Sequence, residues 1–376
     1  MTKAAYDVVL LPGDGTGPEV VAQARRVLEA AQERHGLALR FQEFPCGALH
    51  YKKTGREWEP EAFAACKASD GILLGAVGWP GIDLPDGNIA GYNVLFGLRF
   101  GLDLYANVRP TKLYPGVRHA ISGQLQSVWK PQNVDLVILR ENTEGLYTNA
   151  HGALTRGGVT EVAIDNNVIT RKGCERVIRK AFELSRRRGR GAPKDGRKRV
   201  TSIDKANVLR GSQLFRQVFD EVGQSSYPDV ERDYAFVDAY CQWLVRQPEY
   251  YDVCVATNML GDIVTDLASV LQGGMGMAAG GNLGDAHAMF EPIHGSSPKH
   301  AGKDSVNPIA CILAGQMMLQ WIGERYGDDK ALAAARTIES AVAAVCAEGK
   351  VLTYDLGGTA RMSEVGSEIV RKMATV

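Results

Sequence analysis

Tyr251-Asp-Val-Cys-Val-Ala-Thr-Asn-Met-Leu-Gly-Asp-Ile-Val-Thr-Asp266 joins a short apolar run to a helical pattern. The run from Tyr251 to Ala256 is continuous and rich in valine, which predicts a buried strand. Asp262 and Asp266 then stand one helical turn apart. Like charges at i,i+4 cost a helix about 0.2–0.5 kcal/mol, and a cation held between them turns repulsion into chelation. Two hard oxygen ligands on one helix face suit Mg²⁺ or Mn²⁺. The plainer alternative is a pair of solvated surface aspartates.

Working outward, apolar strands alternate with helical patterns. Val8 to Leu11 precedes a helix from about Pro18 to Arg34, and Gly71 to Gly75, Leu136 to Leu139 and Val200 to Ile203 read as further strands. This alternation predicts an α/β protein. A chain of 376 residues exceeds the usual size of one core, so two domains, or one large interrupted one, are expected. The glycine cluster at 273–284 reads as a flexible joint or as backbone packed closely against a neighbour.

Forty-three basic residues balance 43 acidic ones, so no global field recruits nucleic acid or membrane. One local exception is the basic stretch 186–199, which reads as a solvated connection, with an RNA or anion contact as the alternative. The seven cysteines form no CxxC pair, and a reduced cytoplasm fits them. Met1 runs into the strand-like Asp7 to Leu11 with no charged-then-apolar leader. The longest apolar stretch, 307–323, is broken by Gly315, Gln316 and Gln320, too short and interrupted to span a bilayer.

Chemistry is concentrated in a few segments. Leu11-Pro-Gly-Asp-Gly-Thr-Gly-Pro-Glu-Val20 is GxGxG with proline at a helix start, a weak signal of a tight turn over a ligand rather than the GxGxxG dinucleotide fingerprint. Leu98 to Pro110 presents Arg99 and Arg109; Leu139 to Tyr147 presents Arg140 and Tyr147. Arginines amid apolar residues fit carboxylate clamps, because each guanidinium binds a carboxylate bidentately and keeps its charge; surface salt bridges are the alternative. Later segments carry Lys205 (203–209), Asp238 (237–240), the aspartate pair (257–266) and Phe290-Glu-Pro-Ile-His-Gly-Ser-Ser-Pro-Lys-His-Ala-Gly302.

Taken in order, from about Val8 to Asp355-Leu-Gly-Gly-Thr359, these motifs resemble the isocitrate and 3-isopropylmalate dehydrogenase family of metal-dependent, β-decarboxylating dehydrogenases. The resemblance implies an isopropylmalate dehydrogenase-like, non-Rossmann α/β fold in which a large cofactor-side domain (1–104 and 273–376) is interrupted by a smaller dimerising domain (105–272), with an intersubunit arm near 150–170. It implies that Arg99, Arg109 and Arg140 hold the two malate carboxylates, with Asn93, Leu95 and Asn207 also at the substrate. Asp262 and Asp266, with Asp238 of the partner subunit, would bind Mg²⁺ or Mn²⁺. Lys205 of the partner subunit would accept the hydroxyl proton, its pKa depressed by surrounding cations, and Tyr147 would protonate the product enol. Cofactor contacts fall on Thr16, Glu291, His294, Gly295, Ser296, Lys299, His300 and Asn307.

The resemblance leaves two choices. NAD-using isopropylmalate members generally carry an aspartate where this chain has Lys299; Lys299 and His300 favour NADP over NAD, although Gly358 stands where some NADP-using members carry a phosphate-binding arginine. Isocitrate enzymes place a serine and an asparagine where this chain has Asn93 and Leu95, and no basic residue lies between Gly87 and Leu98. That favours a 3-isopropylmalate-like substrate over isocitrate, homoisocitrate, tartrate or malate. Tyr92 departs from the glutamate of isopropylmalate members. A non-catalytic regulatory subunit is the reading from another class; such subunits usually lose a metal aspartate or the lysine–tyrosine pair, all retained here.

Overall fold

The computed structural model describes residues 2–148 and 150–376. The chain divides into two compact units: Met1–Leu104, Leu113–Pro131 and Ser269–Val376 form the first, Tyr105–Lys112 and Gln132–Ala268 the second. Residues 113–131 and 269–272 therefore lie with the first unit, where the sequence reading put them in the smaller domain. Close contacts hold them there. His119 Nε2 is 3.1 Å from the Leu271 carbonyl oxygen, and Gly116 (φ +86°) sits so near the Cys346 carbonyl that a Cβ would lie 2.1 Å from its oxygen.

In the first unit five strands run in the order Ala279–Leu283, Ala288–Pro292, Gly71–Ala76, Tyr6–Gly13, Leu39–Glu43. The first pair is antiparallel and the remaining neighbours are parallel. Gly71–Ala76 is buried at all six positions, as expected of a parallel strand covered on both faces. Helices Gly17–His35, Ile309–Tyr326, Asp329–Glu348 and Met362–Met373 bury apolar stripes in this unit. Within the glycine cluster, Ala279–Leu283 is strand, and a Cβ would lie 3.0 Å from Phe290 at Gly281 and 2.6 Å from the Asp103 carbonyl oxygen at Gly284, so close packing accounts for these two glycines.

The second unit orders its strands Glu231–Phe236, Arg199–Asp204, Val253–Ala256, Asp135–Glu141, Ala106–Lys112, parallel except for the last pair. Phe182 of helix Arg171–Arg188 stacks on Phe219 of helix Arg210–Ser226, ring centroids 5.2 Å apart. A separate hairpin, His151–Arg156 with Val159–Asp165, is exposed throughout and carries Leu154, Val159, Val162 and Ile164.

The basic stretch meets acids distant in sequence, and Asp195 within it. Arg186 pairs with Asp229, Arg188 with Asp135 and Asp252, Arg190 with Asp135, and Arg199 with Asp195 and Glu231. Its apparent surplus of charge is thus largely neutralised within the fold.

Candidate active site

In the second unit, Val253–Ala256 leads into helix Asn258–Leu271, whose first turns carry Asp262 and Asp266. Strand Ala106–Lys112 supplies Arg109, and the adjoining Asp135–Glu141 supplies Arg140. Arg109 reaches both aspartates, Nη2 to Asp262 Oδ1 at 3.2 Å and Nη1 to Asp266 Oδ1 at 3.3 Å, while Nε donates to Asn107 Oδ1 at 2.8 Å. Arg140, 2% exposed, donates to Asp262 Oδ1 at 2.5 Å and to Asn258 Oδ1 through Nε and Nη2. Helix and arginine touch because residue 261 is glycine: a Cβ there would lie 2.7 Å from Arg140 Cβ. The Tyr147 hydroxyl donates to Asp262 Oδ2 at 3.1 Å, and the Arg140 guanidinium lies over its ring.

Five of the eight residues of this unit expected at substrate, proton transfer and metal, Arg109, Arg140, Tyr147, Asp262 and Asp266, form one cluster. Burial pushes the Asp266 carboxyl up from its ordinary value; the Arg109 charge opposes this and the Asp262 charge adds to it. Two part-exposed carboxylates on one helix face, the Asp266 one disfavoured as an anion chiefly by burial, fit a hard divalent cation. Among the described residues no three His, Cys, Asp or Glu side chains converge as a metal-ligand set.

Lys205 and Asp238 pair with each other, Nζ to Oδ1 at 2.5 Å, and this holds the Asp238 carboxyl below the ordinary aspartate range. The cationic surroundings expected for Lys205 are not what this chain places beside it; its neighbour is an anion. Asn207 lies exposed in the same loop, beside exposed Val208 and Leu209.

In the first unit, helix Tyr92–Gly101 carries Asn93, Leu95 and Arg99. Arg99 is 4% exposed and donates to Glu291 Oε1 at 3.1 Å; Glu291 also accepts from Asn282 Nδ2 at 2.8 Å. Glu291, expected on the cofactor, is thus engaged in positioning Arg99. Leu95 packs against the core cluster containing Val94 and Leu98. Tyr92, Phe96 and Phe100 form a ladder, with centroids 4.3 and 6.0 Å apart, and the Arg99 guanidinium lies 5.5 Å above Phe96. Asn93 donates to Glu57, a residue the sequence reading missed because nothing near it in sequence points to the helix.

The same unit holds a pocket of about 380 Å³ lined by Thr16, His294, Gly295, Asn307, Tyr354 and Asp355 among others. The GxGxG turn is tied to its opposite loop: Thr16 N donates to the Ser296 carbonyl at 2.8 Å. The Ser296 hydroxyl donates to the Gly78 carbonyl at 2.6 Å, and Ser297 lines the pocket in its place. Asn307 bonds Asp355 and caps helix Ile309–Tyr326 through Ile309 N. Burial holds the His294 imidazole below its ordinary pKa, and its Nε2 is buried with no hydrogen-bond partner. A pocket with an unpaired ring nitrogen fits a polar heterocycle. Lys299 and His300 occupy the short turn Pro298–His300, and His300 stacks on Tyr354, another unpredicted residue, at 5.7 Å.

The sequence model described as Isocitrate/isopropylmalate dehydrogenase matches residues 7–370. The chain is 39% identical to a 3-isopropylmalate dehydrogenase of Thermobifida fusca, over 100% of this chain and 99% of that one. It is 36% identical to a tartrate dehydrogenase/decarboxylase of Pseudomonas putida, again over 100% and 99%. Among solved structures, isocitrate dehydrogenase from Methylococcus capsulatus superposes with a TM-score of 0.84 at 36% identity, covering 98% of this chain and 99% of that one.

Proposed function

We propose, from the premise that this chain belongs to the isocitrate/isopropylmalate dehydrogenase family, that it oxidises and decarboxylates a 3-substituted malate, with a 3-isopropylmalate-like alkyl group favoured over a third carboxylate. Membership makes it an enzyme, a decarboxylating dehydrogenase acting on a CH–OH group. The observation that carries the substrate preference is the helix Tyr92–Gly101. It presents the stacked rings of Tyr92 and Phe96, and its one cation, Arg99, lies over Phe96 and is already bonded to Glu291. Burying apolar surface there is worth about 25 cal/mol per Å², whereas a carboxylate would lose hydration without a partner.

In this reading Arg99, Arg109 and Arg140 orient the two carboxylates of the malate core, and none can surrender its charge. Lys205 of a second copy accepts the hydroxyl proton. Tyr147, oriented by its bond to Asp262, returns a proton to C3 after CO₂ leaves. A divalent cation on Asp262 and Asp266, completed by Asp238 of that second copy, would supply Lewis-acid polarisation of the C2 oxygen, and a nicotinamide cofactor would take the hydride. A homodimer is supported by the pairing of Lys205 with Asp238 rather than with the Asp262 cluster, and by the exposed apolar hairpin at 151–165. NADP is favoured over NAD because the turn that carries Lys299 and His300 offers cationic or hydrogen-bonding groups, and His300 stacks on Tyr354, which lines the pocket. All seven cysteines are free, which fits a reducing cytoplasm.

The test is kcat/KM for a panel of 3-substituted malates, each with NAD and NADP and Mn²⁺. 3-Isopropylmalate should exceed isocitrate by about a hundredfold, equivalent to about 2.7 kcal/mol. A preference for isocitrate overturns the reading.

A further inference from the structure

Glu57 lies between helices Ala48–Thr54 and Pro60–Ala68 and is 8% exposed. Its carboxylate reaches across to the start of helix Tyr92–Gly101. Oε1 accepts from Gly91 N at 2.6 Å and Asn93 N at 3.1 Å; Oε2 accepts from Asn93 Nδ2 at 2.5 Å. The helix begins at Gly91 (φ 104°) without a side-chain cap of its own, so its orphan amides take their anion from a segment 34 residues away.

These donors matter for selectivity. A helix N-terminus with an asparagine amide beside it is a ready receptor for a carboxylate. Here that receptor already holds one, fixed within the protein. A second carboxylate approaching Asn93 would find its donors engaged and a like charge at hydrogen-bond range, an arrangement that raises the cost of the wrong ligand rather than improving the right one.

We propose that Glu57 is a built-in stand-in for a third substrate carboxylate, and that it makes this chain select dicarboxylic malates with an uncharged 3-substituent against tricarboxylates. The proposal rests on the reading that this helix faces the substituent at C3. Glu57 is a specificity-determining residue that acts through Asn93 and the helix start and does not touch the reacting atoms. A cap with a purely structural role would differ in one measurable way: its loss would lower turnover of every substrate alike.

The experiment measures kcat/KM for 3-isopropylmalate and isocitrate with cofactor and Mn²⁺ in the wild type, Glu57→Gln and Glu57→Asp. Glu57→Gln should raise the isocitrate to 3-isopropylmalate ratio by about tenfold or more, chiefly through a lower KM for isocitrate, and Glu57→Asp, which keeps the charge, should return the ratio towards the wild type. A folded Glu57→Gln enzyme with an unchanged ratio overturns this proposal while leaving the alkylmalate reading standing. Should Glu57→Gln not fold, the wild type still decides: isocitrate binding as tightly as 3-isopropylmalate overturns the proposal. A wild type that turns over neither compound overturns the functional reading and this proposal with it.

Discussion

Asp262→Asn removes one charge from the centre of the arginine cluster while keeping the shape of the side chain. The carboxylate accepts from Arg140 Nη1 at 2.5 Å, Arg109 Nη2 at 3.2 Å and the Tyr147 hydroxyl at 3.1 Å. Asparagine retains one acceptor oxygen and loses the charge. Two unit charges about 4 Å apart interact by about 4 kcal/mol at an effective dielectric of about 20. The Asp262 side chain is 32% exposed, and screening reduces that figure to about 2–3 kcal/mol of a cation's hold on the site. At about 1.4 kcal/mol per decade this is roughly a 30- to 150-fold loss of affinity. Buried Arg140 also loses its anion, so the variant should melt lower than the wild type. The assay is Mn²⁺ titration followed by electron paramagnetic resonance, alongside melting and turnover. Mn²⁺ should bind more weakly by that factor and dehydrogenase activity should be lost. A folded variant that binds Mn²⁺ within threefold of the wild type and keeps its turnover refutes the assignment.

Lys205→Met should block reduced-cofactor formation from the hydroxy acid, whereas Tyr147→Phe should chiefly slow product formation from a supplied 2-oxo intermediate; equal retention of both half-reactions in both variants contradicts the division of roles. A charge-assisted contact is worth about 1.5–3 kcal/mol, so Lys299→Asp should shift the NADP to NAD ratio of kcat/KM towards NAD by about tenfold or more, and an unchanged ratio removes Lys299 from 2′-phosphate recognition. Asp266 has a folded-state pKa raised above its ordinary 3.8. The folded chain therefore binds that proton more tightly than the unfolded chain, and this group's contribution to stability rises as pH falls from neutral through the folded value, levelling off below 3.8. In chelator, the melting-temperature difference between wild type and Asp266→Asn should change over pH 7 to 4; a constant difference counts against the raised carboxyl.

Periodicity and motif order made much of the molecule legible. Val253–Ala256 is a buried strand and Asp262 and Asp266 share the helix that follows it, because a short valine-rich run and an i,i+4 spacing are local properties. The first strand and helix likewise fall where expected, at Tyr6–Gly13 and Gly17–His35. The division of the chain was less legible, since residues 113–131 are held by contacts to Leu271 and Cys346 that no local pattern signals.

What the sequence by itself determined was the inventory: an α/β chain, three arginines, a lysine, a tyrosine and an aspartate pair in the order of one enzyme family. Tertiary structure alone decided what each charge faces. Arg186 to Arg199 reads as a basic patch until Asp135, Asp229, Glu231 and Asp252 arrive beside it. Nothing local to Glu291 signals Arg99 against it, and Glu57 reads as nothing until it meets Asn93. The physical reason is range: backbone periodicity is written within a few residues, whereas an ion pair or a carboxylate on a helix end depends on a few ångströms between groups separated by tens to hundreds of residues.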